Sequence, residues 1–279
     1  MSSLALIALL IAIALAFDFL NGFHDSANVV ATIISSQAMS PRDALLLAAI
    51  ANFVGPFVFG VAVAKTIGSE VALPSAITIA VVLAALLSAS AWNLITWYFG
   101  IPASSSHALI GGLLGAVILG SGVGALELAG LAKVAIALFT SPLIGFAAGY
   151  LVMWLTRQMS RDATPKVNVL FKRAQLPTGF ILALSHGTND AQKTMGIITL
   201  GLVVLGFQPT FEVPWWVIVI SAAAIGLGTV FGGWRIINTL GRKFYRIRPI
   251  HSFSTQIASA AVILGASLLG GPVSTTHVV

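Results

Sequence analysis

Long apolar runs interrupted by short polar clusters organise this chain. Hydrophobic stretches cover, to within several residues, 3–34, 44–64, 77–99, 107–120, 131–155, 179–207, 215–234 and 252–270. Most approach or exceed the ~18 residues that suggest a spanning helix. None shows the ~10-residue alternation of a barrel strand, so the pattern predicts an all-α polytopic membrane protein. Inside two of the runs the polar positions themselves fall at helical spacing. Asp18, Asn21, Asp25, Asn28 and Thr32 are three or four apart and share one helix face. His186, Asp190 and Lys193 take the phase of Asn21, Asp25 and Asn28 in the second run. Carboxylates facing hydrocarbon are costly, so both stripes are expected to point inward.

The polar clusters are also duplicated. Gly22-Phe23-His24-Asp25-Ser26-Ala27-Asn28 returns 165 residues later as Gly187-Thr188-Asn189-Asp190-Ala191-Gln192-Lys193. Pro102-Ala103-Ser104-Ser105-Ser106-His107 returns 170 residues later as Pro272-Val273-Ser274-Thr275-Thr276-His277. Two motifs, each present twice in the same order, predict one site built by two halves of the chain. The halves are expected at 1–130 and 179–279, joined by a transmembrane helix and a basic loop at 131–178. The segments at 107–155 have no counterpart after the second Pro-Ser motif, so the sequence reads as truncated at its second hairpin.

Composition supports the membrane reading. Hydrophobic residues form 58% and charged residues 8% of the 279 positions, with a mean hydropathy of +1.00. So little charge cannot cover a soluble domain of this size. The net charge of +6 does not indicate nucleic acid, because the basic residues sit in short loops. Arg42, Arg157, Arg161, Lys166, Lys172, Arg173, Arg235, Arg242, Lys243, Arg246 and Arg248 fall on one side by counting crossings, and Lys65 and Lys133 on the other. The first group should be cytoplasmic, which places the N-terminus outside and loops 156–178 and 235–251 on the cytoplasmic side of a cell (inner) membrane. The second Asp run then crosses in the opposite sense to the first, an inverted-topology repeat. The ~14 residues after His107 are short for a crossing and favour a re-entrant hairpin. The first run mimics a signal peptide but has no Lys or Arg before it, and is expected to be a retained helix. Cysteine is absent, which excludes disulfides and thiolate sites.

The motifs suggest specific chemistry. A carboxylate beside amide oxygens suits a proton or hard cation. Gly22 and Gly187, just before the acids, are expected to break their helices and free backbone groups there. The Pro-Ser motifs read as helix starts whose hydroxyls cap or donate, and in duplicate they could replace the water shell of a tetrahedral oxyanion. His107 and His277 are equally suited to carry protons or to serve as cap residues. Lys193, replacing Asn28 in the second copy, is a counter-ion to Asp190, an anion contact, or a stand-in for a coupling cation. Single copies of these features would be read as helix glue or ordinary capping; duplication reverses that preference.

At GFHDSAN (22–28), PASSSH (102–107), HGTNDAQKTMG (186–196) and PVSTTH (272–277) the chain resembles the inorganic phosphate transporter (Pit) family over essentially its whole length. The resemblance implies inverted repeats with broken helices and hairpins, and phosphate uptake driven by a cation gradient. By position it implies that Asp25, Asn28, Asn189 and Asp190 form the coupling site. Ser104, Ser105, Ser106, Ser274, Thr275 and Thr276, with Asn28 and Lys193, would contact phosphate. Lys193 stands where the family's more symmetric pattern has Asn, like the proton-coupled bacterial branch in which phosphate can travel as a metal complex; sodium coupling stays open. No cofactor is implied beyond the transported ions, and a homodimer is compatible. Three alternatives remain: another oxyanion such as sulfate, a channel, and an intramembrane hydrolase. The last lacks both HExxH and G-x-S-x-G.

Overall fold

The computed structural model describes residues 2–69, 71–243 and 247–279. They form eleven helices, among the described residues, with no strand ladder. In order these are α1 (Ser3–Ser35), α2 (Pro41–Val58), α3 (Ala62–Ser69), α4 (Ile79–Phe99) and α5 (Ser105–Ser121). Then come α6 (Leu128–Met159), α7 (Val167–Val204), α8 (Trp215–Phe231), α9 (Trp234–Asn238), α10 (Pro249–Leu268) and α11 (Thr275–Val278). The sequence long, medium, short, long, tip helix occurs twice, with α6 between. Among the described residues, four helices (α1, α2, α4 and α6) are each long and apolar enough to cross a membrane, and α8 with α9 makes a bent fifth.

Local chemistry sets the ends. Ser40 caps α2 by accepting from the Asp43 N–H, with Pro41 in the first turn where its missing N–H is harmless. Thr78 caps α4 by accepting from the Val81 N–H. Gly100, at φ 67°, turns the chain out of α4 in a left-handed conformation. Four residues then lead to α5, which folds back onto α4 as a hairpin; an added Cβ on Gly112 would stand 2.8 Å from the Ala85 carbonyl.

Gly22 and Gly187 do not break their helices: α1 runs unbroken for 33 residues and α7 for 38. Their missing side chains serve close packing instead. A Cβ on Gly22 would lie 2.2 Å from the Ile225 carbonyl of α8, and one on Gly187 2.4 Å from the Asn52 carbonyl of α2. Gly228 meets the Phe19 carbonyl and Gly55 the Leu184 carbonyl in the same way, at 2.0 and 2.3 Å. The breaks fall elsewhere, between α2 and α3 and between α8 and α9. The latter pair bends by 55° at Gly232–Gly233, with Gly232 at φ 65°.

The basic stretches are also more helical than expected. Residues 156–178 are mostly the end of α6 and the start of α7, which begins at Val167 and passes through Pro177. Hydropathy stops at Lys172 and Arg173, but helical hydrogen bonding continues beyond the apolar zone. In 235–251, α9 and a π turn at Thr239–Lys243 precede α10, and Arg246 lies outside the described residues. Arg235 stacks on Trp97 and Tyr98, 5.2 and 5.0 Å from their ring centres, and donates to the Tyr98 carbonyl.

Candidate functional site

The two polar stripes face each other in the middle of the molecule. Asp18, Asn21, Asp25 and Asn28 of α1 are buried, as are His186, Asn189, Asp190 and Lys193 of α7, while Thr32 is partly covered. A 100° step per residue puts each set on one side of its helix, and the Gly-mediated crossings bring α8 and α2 hard against the backs of α1 and α7. The hairpin tips close the remaining side. Ser106 Oγ donates to the Val273 carbonyl at 3.0 Å, and Thr276 Oγ1 donates to the Ala103 carbonyl at 3.2 Å. The His107 and His277 rings stand 5.0 Å apart behind this seam.

At the centre, one hydroxyl stands between two carboxylates. Thr275 Oγ1 lies 3.5 Å from Asp25 Oδ2 and 3.3 Å from Asp190 Oδ2. Its single proton can serve only one of them at a time. Ser105 Oγ donates to Asp25 Oδ2 at 3.1 Å, and His24 Nδ1 stands 2.7 Å from Asp25 Oδ1. His24 is held in turn by Thr96 Oγ1, 3.1 Å from Nε2. On the other helix, Lys193 Nζ donates to Asp190 Oδ1, and His186 Nε2 is 3.1 Å from Asp190 Oδ2. Lys193 therefore acts as a counter-ion to Asp190.

The six motif hydroxyls divide their work. Ser105 and Thr275 reach the carboxylates. Ser104 and Ser274 cap their helices, each accepting from the backbone N–H three residues on, at 3.3 Å. Ser106 and Thr276 tie one tip to the other, and Asn28 Nδ2 donates to Thr276 Oγ1 at 2.9 Å. Asn189 turns to the second hairpin, donating to Ser267 Oγ at 2.8 Å and the Gly271 carbonyl at 3.2 Å. Sequence reasoning assigned no role to His24. Helical phase could not find it, because a neighbour at i+1 is about 100° away and pairs with Asp25 only through its own rotamer.

Two buried carboxylates this close repel strongly. Asp25, Asp190 and His186 each offer a ligand atom, all within 4.8 Å of one another. At an effective dielectric of ~20, two unit charges at that distance cost on the order of 3 kcal/mol. Lys193 and the hydroxyl donors offset part of this. Two carboxylates against one ammonium still leave one negative charge when both imidazoles are neutral. Such a centre can accept a proton or cation, and its oxygen and imidazole donors also suit a divalent metal carried as cargo. Ser104, Ser105 and Ser106 are at most 6% exposed, and Asp25 and Asp190 are fully covered. The two carboxylates are occluded from solvent.

Fold and centre together define a polytopic α-helical membrane protein with a sealed, charged site at the meeting of two motif-bearing hairpins. Residues 21–165 and 158–279 match the profile described as the phosphate transporter family. The chain belongs to that family. It is 47% identical over 280 residues to a probable low-affinity inorganic phosphate transporter of Bacillus subtilis, covering 99% of this chain and 84% of that protein. A protein of the same description from Rhizobium meliloti is 45% identical, over 97% and 81% of the two chains. Among solved structures, one titled "The sodium-dependent phosphate transporter" superposes with a TM-score of 0.88 over 98% of this chain and 87% of that one. At 23% identity this establishes the shared fold. The family is one of transporters, so the hydrolase alternative falls.

Proposed function

We propose that this chain is a secondary symporter that takes up inorganic phosphate with a cation, a proton being favoured and sodium remaining open. The observation that carries this reading is the Thr275 hydroxyl between Asp25 of one motif copy and Asp190 of the other. A binding site shared between duplicated elements can be exposed to either side by rocking them about it. In this reading Asp25 and Asp190, with Asn28 and Asn189 nearby, take up the cation. Ser105, Thr275 and Lys193 supply the donors nearest the charge, and Ser104, Ser106, Ser274, Thr276 and Asn28 shape and close the phosphate pocket. His107 and His277, paired at the tip seam, would pass protons to it.

Packing supports the repeat. The crossings Gly22–Ile225 and Phe19–Gly228 join α1 to α8, and Gly187–Asn52 and Leu184–Gly55 join α7 to α2. Each partner is offset by 165 residues on one helix pair and 173 on the other. Reciprocal contacts of this kind imply a two-fold relation. With the basic ends of α6 and α7 on the cytoplasmic side, that axis lies in the membrane plane, the N-terminus is outside and the halves 1–130 and 179–279 are inverted. The carboxylate–imidazole–carboxylate set favours one further reading, in which phosphate arrives as a divalent-metal complex.

Labelled phosphate uptake into proteoliposomes, with proton, sodium and magnesium gradients varied separately, tests the proposal. Uptake against the phosphate gradient is expected with a proton gradient, and Asp25→Asn should abolish it. Unchanged uptake in Asp25→Asn overturns the role of Asp25, and competition by sulfate reassigns the anion.

A further inference from the structure

One carboxylate in the core is used by nothing described above. Asp18 lies on α1 two turns before Asp25, is fully buried, and neither of its oxygens makes a well-formed hydrogen bond among the described residues. Asn21, on the same face and one turn on, is equally buried, and its amide oxygen and nitrogen are both unpartnered. Across the interface the buried Thr194 of α7 holds its hydroxyl beside the Asp18 carboxylate, near enough to donate to it. The Asp190 carboxylate and the Lys193 ammonium both act on Asp18 from a distance, with opposite sign, and make their contact with each other.

A carboxylate in this setting is not how inert packing looks. Buried polar side chains are nearly always hydrogen-bonded, and a buried carboxylate without a partner is among the costliest groups a fold can hold. Here Asn21 lies one turn from Asp18 on α1 and Thr194 beside it on α7, and four of their atoms are oxygens able to face a positive charge. One carboxylate with neutral amide and hydroxyl oxygens matches a single positive charge. The stripe then holds two separate acidic positions, one at Asp25 and one at Asp18.

We propose that Asp18, with Asn21 and Thr194, forms a second site for a monovalent cation, apart from the Asp25–Asp190 centre and filled without phosphate. It rests on the transport reading only for its purpose: a bound cation here would neutralise the α1–α7 interface before the centre is loaded. A proton and an alkali ion share this chemistry, and they differ in what Asn21 does. An alkali ion needs the amide oxygen as a ligand, whereas a protonated carboxyl can donate to it.

Phosphate-free purified protein tests this, so failure of phosphate uptake cannot be mistaken for failure of the site. One arm compares thermal stability in sodium chloride and choline chloride. The other records the infrared band of a protonated, buried carboxylic acid at neutral pH. Either a sodium-dependent stabilisation or such a band is expected in the wild type and lost in Asp18→Asn. In the sodium case the half-saturating concentration should also rise in Asn21→Ala, by at least the roughly 10- to 100-fold that changes around a bound ion produce. In the proton case the band should shift in Asn21→Ala, and this milder variant stands in if Asp18→Asn does not fold. A wild type with neither signal, or either signal persisting unaltered in both variants, overturns the proposal.

Discussion

Lys193 and Asp190 show how much one residue pair can decide. Both are fully buried, and removing one partner of such a pair strands the other charge, which typically costs about 3–5 kcal/mol. Lys193→Met should therefore lower the unfolding midpoint in detergent markedly. The double variant Lys193→Met/Asp190→Asn should lie closer to wild type than the single one, because it buries no unpaired charge. If the double variant is worse than the single, the pair is not held by charge. The inward direction of Asp25, Asn28, Asp190 and Lys193 was legible from spacing alone, since a lipid-facing alternative was so unfavourable. The pairing of His24 with Asp25, and the division of six hydroxyls into caps, ties and carboxylate contacts, was not legible. Those depend on rotamers and on distances between segments far apart in the chain.

Among elements, four helix crossings bring backbone to backbone through glycine. At Gly228 and Gly55 a methyl group would have to enter space held by a backbone carbonyl at 2.0 and 2.3 Å, and backbone cannot step aside as a flexible side chain can. Gly228→Ala and Gly55→Ala should each destabilise by at least the ~1–3 kcal/mol usual for overpacking. Gly111→Ala, with nothing within 4 Å of its added carbon, should be neutral or slightly stabilising by helix propensity. Thermal unfolding of the three variants checks the contrast. A glycine before a buried acid suggested a broken helix, yet α1 and α7 are continuous. Sequence alone cannot separate a glycine that frees the backbone from one that lets another helix approach, because both roles ask for the same missing side chain. The bend appears at Gly232–Gly233, where a positive φ requires glycine.

At the scale of the molecule, the joined hairpin tips are the seal. Thr276 and Ala103 meet across the seam, and the chain has no cysteine, so a pair introduced there has no native thiol to compete with it. Ala103→Cys/Thr276→Cys, bridged by oxidation or a short bifunctional reagent, should fall below the phosphate uptake of Thr276→Cys alone and return to that level on cleavage of the bridge. Equal uptake by bridged and reduced protein would mean that the tips need not part. Membership of a transporter family, near-complete burial of the acids and the reciprocal α1–α8 and α7–α2 packing all belong to this scale.

From the chain alone came the helical membrane class, the two duplicated motifs, the inward stripes and the hairpin reading of the Pro-Ser segment, because hydrophobic burial and helical phase are properties of neighbouring residues. Only the folded molecule revealed that Asp25 and Asp190 share a threonine, that Lys193 pairs with Asp190, and that Asp18 and Asn21 lack a well-formed hydrogen bond among the described residues. Each of those facts depends on which helices meet and at what depth. Close packing between distant segments sets that, and local pattern does not encode it.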